Sequence, residues 1–120
     1  MLLSDGEYRG KHFLQPGTTR EAARVHYSGY DHFIKTNMNW GLGLIMGSLN
    51  PDTPNAPASP HGYGSCRATF SAMGMGTCMV WADRRADLVT AFTCNGLLSD
   101  SGTASRWALI SNAVWDCLQG

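Results

Sequence analysis

Thr77-Cys78-Met79-Val80-Trp81-Ala82, then Asp83-Arg84-Arg85-Ala86, then Asp87-Leu88-Val89-Thr90-Ala91-Phe92-Thr93-Cys94: two runs rich in β-branched and aromatic residues stand on either side of a polar tetrapeptide. Such runs read as strands, and the short polar insert between them reads as a hairpin turn. Successive side chains in a strand alternate between faces. Pairing Ala82 with Asp87 therefore places Met79, Trp81, Leu88, Thr90, Phe92 and Cys94 on one face and Cys78, Val80, Val89 and Ala91 on the other. In that register Cys78 and Cys94 lie on opposite faces, which argues against a disulfide between them.

On the C-terminal side, Trp107, Ser111, Val114, Trp115 and Leu118 recur at three- and four-residue steps. This predicts an amphipathic helix from about Ser101, its stripe laid on the sheet. On the N-terminal side, residues 48–64 hold four of the five prolines (Pro51, Pro54, Pro57, Pro60) and read as a long loop. Before it, Trp40-Gly41-Leu42-Gly43-Leu44-Ile45-Met46 reads as a short strand whose glycines let something pack closely on its backbone. Pro16-Gly17-Thr18-Thr19 reads as a turn ending in an N-cap, and Thr18 with Glu21 has capping-box spacing. The helix it starts is expected to stop near Tyr27-Ser28-Gly29. Residues 1–14 read as a helix tail and a turn, anchored by Leu2, Leu3, Phe13 and Leu14. The expected fold class is α+β: an antiparallel sheet of about three strands flanked by an N-terminal and a C-terminal helix, in a single domain over residues 1–120.

Lysine plus arginine equals aspartate plus glutamate at 9 each. That balance gives no footprint for nucleic acid or an anionic membrane, and it weakens the repulsion that keeps copies apart. No apolar stretch approaches the roughly 20 residues of a membrane span. The first residues are not those of a signal peptide, so the expectation is a soluble, cytoplasmic protein. Four cysteines (Cys66, Cys78, Cys94, Cys117) are widely spaced with no Cys-x-x-Cys pair, and read as free thiols.

Four motifs in order carry a resemblance. They are Leu2-Leu3-Ser4-Asp5-Gly6-Glu7 with Gly10 and Leu14; Trp40-Gly41-Leu42-Gly43; Trp81-Ala82-Asp83 followed by Leu88 and Asn95; and a terminal helix bearing Trp107 and Trp115. Together they resemble the C-terminal segment of the serine β-lactamase-like family, that is, class C β-lactamases and related esterases. The resemblance implies a partial, truncated β-lactamase-like fold and a hydrolytic ancestry.

Two departures bear on chemistry. The family's nucleophile sits in a Ser-x-x-Lys motif, and here the only lysines, Lys11 and Lys35, are preceded at that spacing by Tyr8 and His32. The family's third motif opens on a polar residue, and the matching stretch is Ala72-Met73-Gly74. Hydrolysis by this chain therefore calls for other groups. His26, Asp31, His32 and His61 are the candidate ligands for Zn2+ or another divalent metal, whose bound water becomes a nucleophile near neutral pH. A self-associated homo-oligomer is the expected setting, since symmetry brings copies of one histidine together. Trp40, Tyr63, Met73 and Met75 are the candidate substrate-binding residues. Cys66 near His61 is a further candidate nucleophile, whereas Asp83, Arg84 and Arg85 read as a solvated turn. The function expected is an oligomeric, metal-dependent, promiscuous hydrolase of activated esters, lactones or phosphotriesters. The alternative is a non-catalytic remnant or ligand-binding module that takes a small molecule without turnover.

Overall fold

The computed structural model describes residues 2–47, 59–74 and 76–119. Most of the proline-rich stretch, and Met75 among the candidate substrate residues, lie outside the described residues. The hairpin forms as strands β7 (Cys78–Asp83) and β8 (Leu88–Thr93). Its register differs from expectation by two residues: Ala82 pairs with Val89 and Asp83 with Leu88. Asp83 closes the strand instead of opening the turn, and its Oδ1 accepts hydrogen bonds from the N–H groups of Arg85 and Ala86 (2.9 and 3.0 Å). The turn is therefore residues 84–87, completed by Asp87 in the left-handed region (φ 49°). A two-residue slip preserves side-chain parity, so the assignment of faces stands. All four cysteines are free.

The sheet is larger than three strands. Six antiparallel strands run in sequence order: β3 (Tyr27–Asp31), β4 (Thr36–Trp40), β5 (Ile45–Met46), β6 (Thr69–Gly74), β7 and β8. Where the helix was expected to continue to Tyr27, β3 begins instead. The turn from β3 to β4 repeats the one from β7 to β8. Asp31 Oδ1 accepts from the N–H groups of Phe33 and Ile34 (2.8 and 2.9 Å), and Lys35 takes the left-handed position (φ 59°). An aspartate that bonds the backbone two and three residues on is a local turn device independent of tertiary packing.

Residues 40–46 are not one strand. They leave β4 at Trp40 and return in β5, with Gly41 N–H donating to Leu44 O at 2.8 Å. The glycines serve different ends. A Cβ on Gly41 would lie 2.5 Å from the Ala22 carbonyl oxygen, so close packing holds there, whereas Gly43 supplies a positive φ (71°) in open space. The start of the chain is a turn and a small hairpin, β1 (Glu7–Tyr8) with β2 (Lys11–His12), rather than a helix tail.

Helix α1 (Pro16–Ala22) is short. Its N-cap is Gln15 with Pro16 in the first turn, not Thr18, because proline's fixed φ suits a first helical position. Glu21 pairs with Arg24 and not with a cap.

Helix α2 (Asp100–Gln119) lies on one face of the sheet. Trp107 and Trp115 bury against Met79 and Trp81, with Met73, Leu88, Phe92 and Val114 around them. Leu118, expected in this stripe, is exposed. The other face has its own smaller core, in which Met46, Phe70 and Ala82 meet Leu2, Leu3, Ala23, Val25 and Leu44. Arg84 ties this cover down. Its guanidinium donates to Leu2 O (2.7 Å) and to Asp5 (3.2 Å), and lies over the Phe70 ring. It is no solvated turn residue. The cover ends there, and Val80 and Val89 on the same face stay 42% and 56% exposed.

Candidate functional site

Beyond the edge of that cover, a shallow groove of about 480 Å³ runs across the ends of β6, β7 and β8, lined by Ala72, Met73, Gly74, Cys78, Met79 and Val80 among others. The antiparallel register puts Ala72 opposite Val80 and Gly74 opposite Cys78. Because these residues are small or apolar, the groove has a low, greasy floor. Its lining includes the Cys78 thiol, which donates to the Gly74 carbonyl at 3.6 Å, and Thr93. A second hollow of about 390 Å³ adjoins it through Ala72 and Val80 and reaches Leu2, Leu3 and Leu44.

Behind the sheet, under α2, sits a polar cluster. His61 and Ser71 share a hydrogen bond from Nε2 to Oγ at 2.7 Å, and each is only 1% exposed. The segment that carries His61 is stapled to the helix. Trp115 Nε1–H donates to His61 O (2.7 Å), Trp81 Nε1–H donates to Ser111 Oγ (3.0 Å), and Ser111 Oγ–H donates to Pro60 O (2.8 Å). Burial depresses the His61 pKa from 6.5 to about 4, against the opposing pull of the Asp83 charge, so the imidazole is neutral at pH 7. A hydroxyl bonded to an imidazole is the geometry of an activated nucleophile. This pair lacks the other requirements: among the described residues no carboxylate bonds His61 Nδ1, whose partner there is Ser59 Oγ at 3.4 Å, and neither group is open to a substrate. It is a core anchor.

Asp83 is the second buried polar centre. Its Oδ2 accepts from Thr69 Oγ1 and from the Cys66 thiol, the latter at 3.4 Å. Burial pushes its pKa up, but the bonds from Thr69, the Ala86 N–H, Cys66 and the Arg85 N–H prevail and hold it below the usual carboxylate range. The Cys66 thiol is thus held in the same hydrogen-bonded cluster as Thr69 and Asp83.

The expected ligands do not converge in one chain. His26 sits just before β3 with Nε2 2.9 Å from Glu21 O and 3.5 Å from Glu21 Oε1. Asp31 is committed to its turn, and Oδ2 accepts from Trp40 Nε1–H at 3.1 Å. The Ile34 N–H leads the interactions that keep its pKa low. His32 stands in that turn with its ring edge-on to Tyr30. His61 is sealed in the core. Among the described residues no three of His, Cys, Asp and Glu gather closely enough to hold a metal ion. Of the candidate substrate residues, Met73 lines the groove. Trp40 is held by Asp31. Tyr63 is exposed, its hydroxyl donating to Asp116, whose carboxylate raises the phenol's pKa.

No protein-family model matches the sequence, and no curated protein is significantly similar to it. Solved structures are. A β-lactamase from Mycobacterium bovis is similar over 96% of this chain and 39% of its own, with TM-score 0.66 and 21% identity. A penicillin-binding protein homologue from Caulobacter crescentus is similar over 96% of this chain and 28% of its own, at TM-score 0.63 and 19% identity. A family VIII carboxylesterase is similar over 92% of this chain and 28% of its own, at TM-score 0.59 and 19% identity. The chain has the fold of a C-terminal segment of the serine β-lactamase-like proteins.

It spans well under half the length of each of these structures. Strand β6, with Ala72-Met73-Gly74, borders the groove. Sequence reading missed Ser71, Thr69 and the burial of Asp83. The legible signal was local: an aspartate at a strand end, followed by four turn residues, occurs twice, at Asp31 and at Asp83.

Proposed function

We propose that the chain is the substrate-binding and catalytic segment of a hydrolase for activated esters or phosphoesters, with the substrate lying along β6 in the groove over Ala72, Gly74 and Cys78. The observation that carries the hydrolytic class is the shared fold, since two of the similar structures are a β-lactamase and a carboxylesterase. The nucleophile is proposed to be water on a bound divalent metal, zinc in the simplest case. Two facts support this choice. The sequence holds no serine three residues before a lysine, and its buried hydroxyl–imidazole pair at Ser71 and His61 is sealed from substrate. His26 with its neighbour Glu21, and His32, are the ligands left on the surface. One chain supplies too few of them together, so the site is proposed to form between copies of a homo-oligomer.

The direct test is hydrolysis of an activated carboxylic ester and an activated phosphotriester by the purified chain, before and after chelation and with zinc restored. Activity that disappears on chelation, returns with zinc, and falls at least tenfold in His26→Ala or His32→Ala is the expected result. Turnover untouched by chelator sinks the metal reading and points to Cys78, the thiol already in the groove. A second reading is favoured by the groove itself, whose lining is apolar: binding of a small ligand without turnover. Saturable binding by a chain inactive on both esters would establish it.

A further inference from the structure

We propose that Asn95 is a site of spontaneous modification, at which the Gly96 backbone nitrogen attacks the side-chain amide and converts the residue to aspartate and isoaspartate. The reaction asks nothing of the groove or of any hydrolytic activity, so it proceeds in an inactive chain as in an active one.

The sequence has six asparagines, and Asn95 alone is followed by glycine. Asparagine is among the thermally labile residues, and the residue after it governs how readily its amide is attacked. A side chain there shields the backbone nitrogen and narrows the rotations that ring closure needs, whereas glycine does neither. Asn95 and Gly96 form an exposed bend between β8 and α2. Gly96 holds a positive φ (79°), and a Cβ there would meet nothing within 4 Å, so the backbone has room to turn. Among the described residues no hydrogen bond engages the Asn95 amide or the Gly96 N–H. Both reacting groups are therefore free. Arg106 donates to Gly96 O at 3.2 Å, which leaves the nitrogen open and sets a positive charge near it, favouring the amide anion that attacks.

Other positions lack this combination. Asn37 and Asn39 lie within β4, and Asn39 Nδ2 donates to Gly47 O at 3.3 Å. Asn112 lies within α2, where its Oδ1 accepts from the Tyr63 N–H at 2.9 Å. Asn55 precedes alanine, and Asn50 precedes proline, which has no N–H to lose. Asp5-Gly6 has the glycine but is locked. Arg84 holds Asp5 Oδ1 at 3.2 Å, Gly6 O accepts from the N–H groups of Phe13 and Leu14, and a Cβ on Gly6 would collide with Leu14 O. A carboxylate is also a weaker electrophile than an amide.

The atoms balance with water as the only co-reactant. The Gly96 nitrogen gives up its proton and bonds Asn95 Cγ, the Cγ–Nδ2 bond breaks, and ammonia leaves with that proton, closing a succinimide. Water then opens the ring. Attack at Cγ gives aspartate, and attack at the main-chain carbonyl carbon gives isoaspartate. Either product adds a carboxylate close to Arg106, in a chain whose charges otherwise balance at 9 and 9. Isoaspartate also lengthens the main chain by a methylene between β8 and α2.

The test follows the intact folded chain, incubated at neutral and at mildly alkaline pH, by isoelectric focusing and by peptide mapping with mass spectrometry. The same chain unfolded in urea sets the reference rate. Expected are an acidic form that accumulates faster at the higher pH, a modification confined to residue 95, and label from heavy-oxygen water in the new carboxyl. The folded-state rate is expected to lie within tenfold of the rate in urea. Asn95→Gln, which would have to close a larger and slower-forming ring, is expected to abolish the acidic form, and Gly96→Ala to slow it at least tenfold. The Asn95 side chain bonds none of the described residues, so Asn95→Gln is expected to leave the circular dichroism unchanged. An acidic form that persists in Asn95→Gln, or that maps to another residue, overturns the assignment. A folded chain that stays intact while the chain in urea is converted shows that the bend forbids ring closure, and overturns it equally.

Discussion

Acid should weaken this fold through one side chain before it reaches the carboxylates. His61 is 1% exposed and its pKa falls from 6.5 to about 4, through burial that the Asp83 charge only partly offsets. Its folded pKa lies below its unfolded value, so the unfolded chain takes up a proton first as pH drops. The stabilisation from keeping His61 neutral is complete above about pH 6.5 and is lost progressively as pH falls toward 4. At about 1.4 kcal/mol per pH unit, the full gap amounts to about 3 kcal/mol, of which about 2 kcal/mol is lost by pH 5. Asp83, Glu21 and Asp31 have depressed pKa values, so what they contribute is present above their ordinary values of 3.8 to 4.5 and goes only below them. The window from pH 7 to 5 therefore belongs to His61. The assay is urea unfolding followed by tryptophan fluorescence at fixed protein concentration, across pH 7 to 5, for the wild type and His61→Gln. Glutamine places a neutral polar group near Nε2, within reach of Ser71. The variant is expected to be less stable at pH 7 but nearly flat across the window. Parallel pH dependences for the two proteins would refute the assignment of the acid loss to His61.

Ser111→Ala strands the Trp81 indole N–H and the Pro60 carbonyl under α2, and is expected to cost about 1–3 kcal/mol, read as a lower urea midpoint at unchanged slope. Gly64→Ala would set a Cβ 2.3 Å from the Trp115 ring. Since that neighbour is a packed ring, the expected loss is about 1–3 kcal/mol or more, with Trp115 emission moving toward its solvent-exposed wavelength. Asp83→Ala removes the acceptor for Thr69, Cys66 and two turn amides. It is expected to cost about 2–3 kcal/mol, while Asp83→Asn, which keeps the Oδ1 acceptor, costs less than half as much in the same denaturation assay.

Much of the fold could be read in the sequence where the signal is local and apolar. The β7–β8 hairpin and the long C-terminal helix both announce themselves by periodicity, and the faces of the hairpin survive even an error of two in register. Strands β3 and β4 could not be found that way. Tyr27-Ser28-Gly29-Tyr30-Asp31 and Thr36-Asn37-Met38-Asn39-Trp40 are polar, small and largely half-exposed, so no alternation marks them. What marks them is the turn they share: Asp31 bonds its own backbone in the way Asp83 does. That same commitment occupies both oxygens of Asp31: Oδ1 closes the hairpin and Oδ2 holds Trp40.

His61 shows the opposite limit. Its neighbours Pro60, Gly62 and Gly64 are loop residues by every local criterion, and a histidine among them reads as exposed. Its burial is decided 50 residues later, where Ser111 and Trp115 take the carbonyls of Pro60 and His61. The glycines that look like loop flexibility are there because the Trp115 ring leaves no space for a Cβ. A chemically suggestive side chain is thus spent on closing one face of the sheet. On the other face Val80 and Val89 stay exposed beside a groove of small residues. Function, on this reasoning, is to be sought along that groove, and not where the histidine and serine happen to meet.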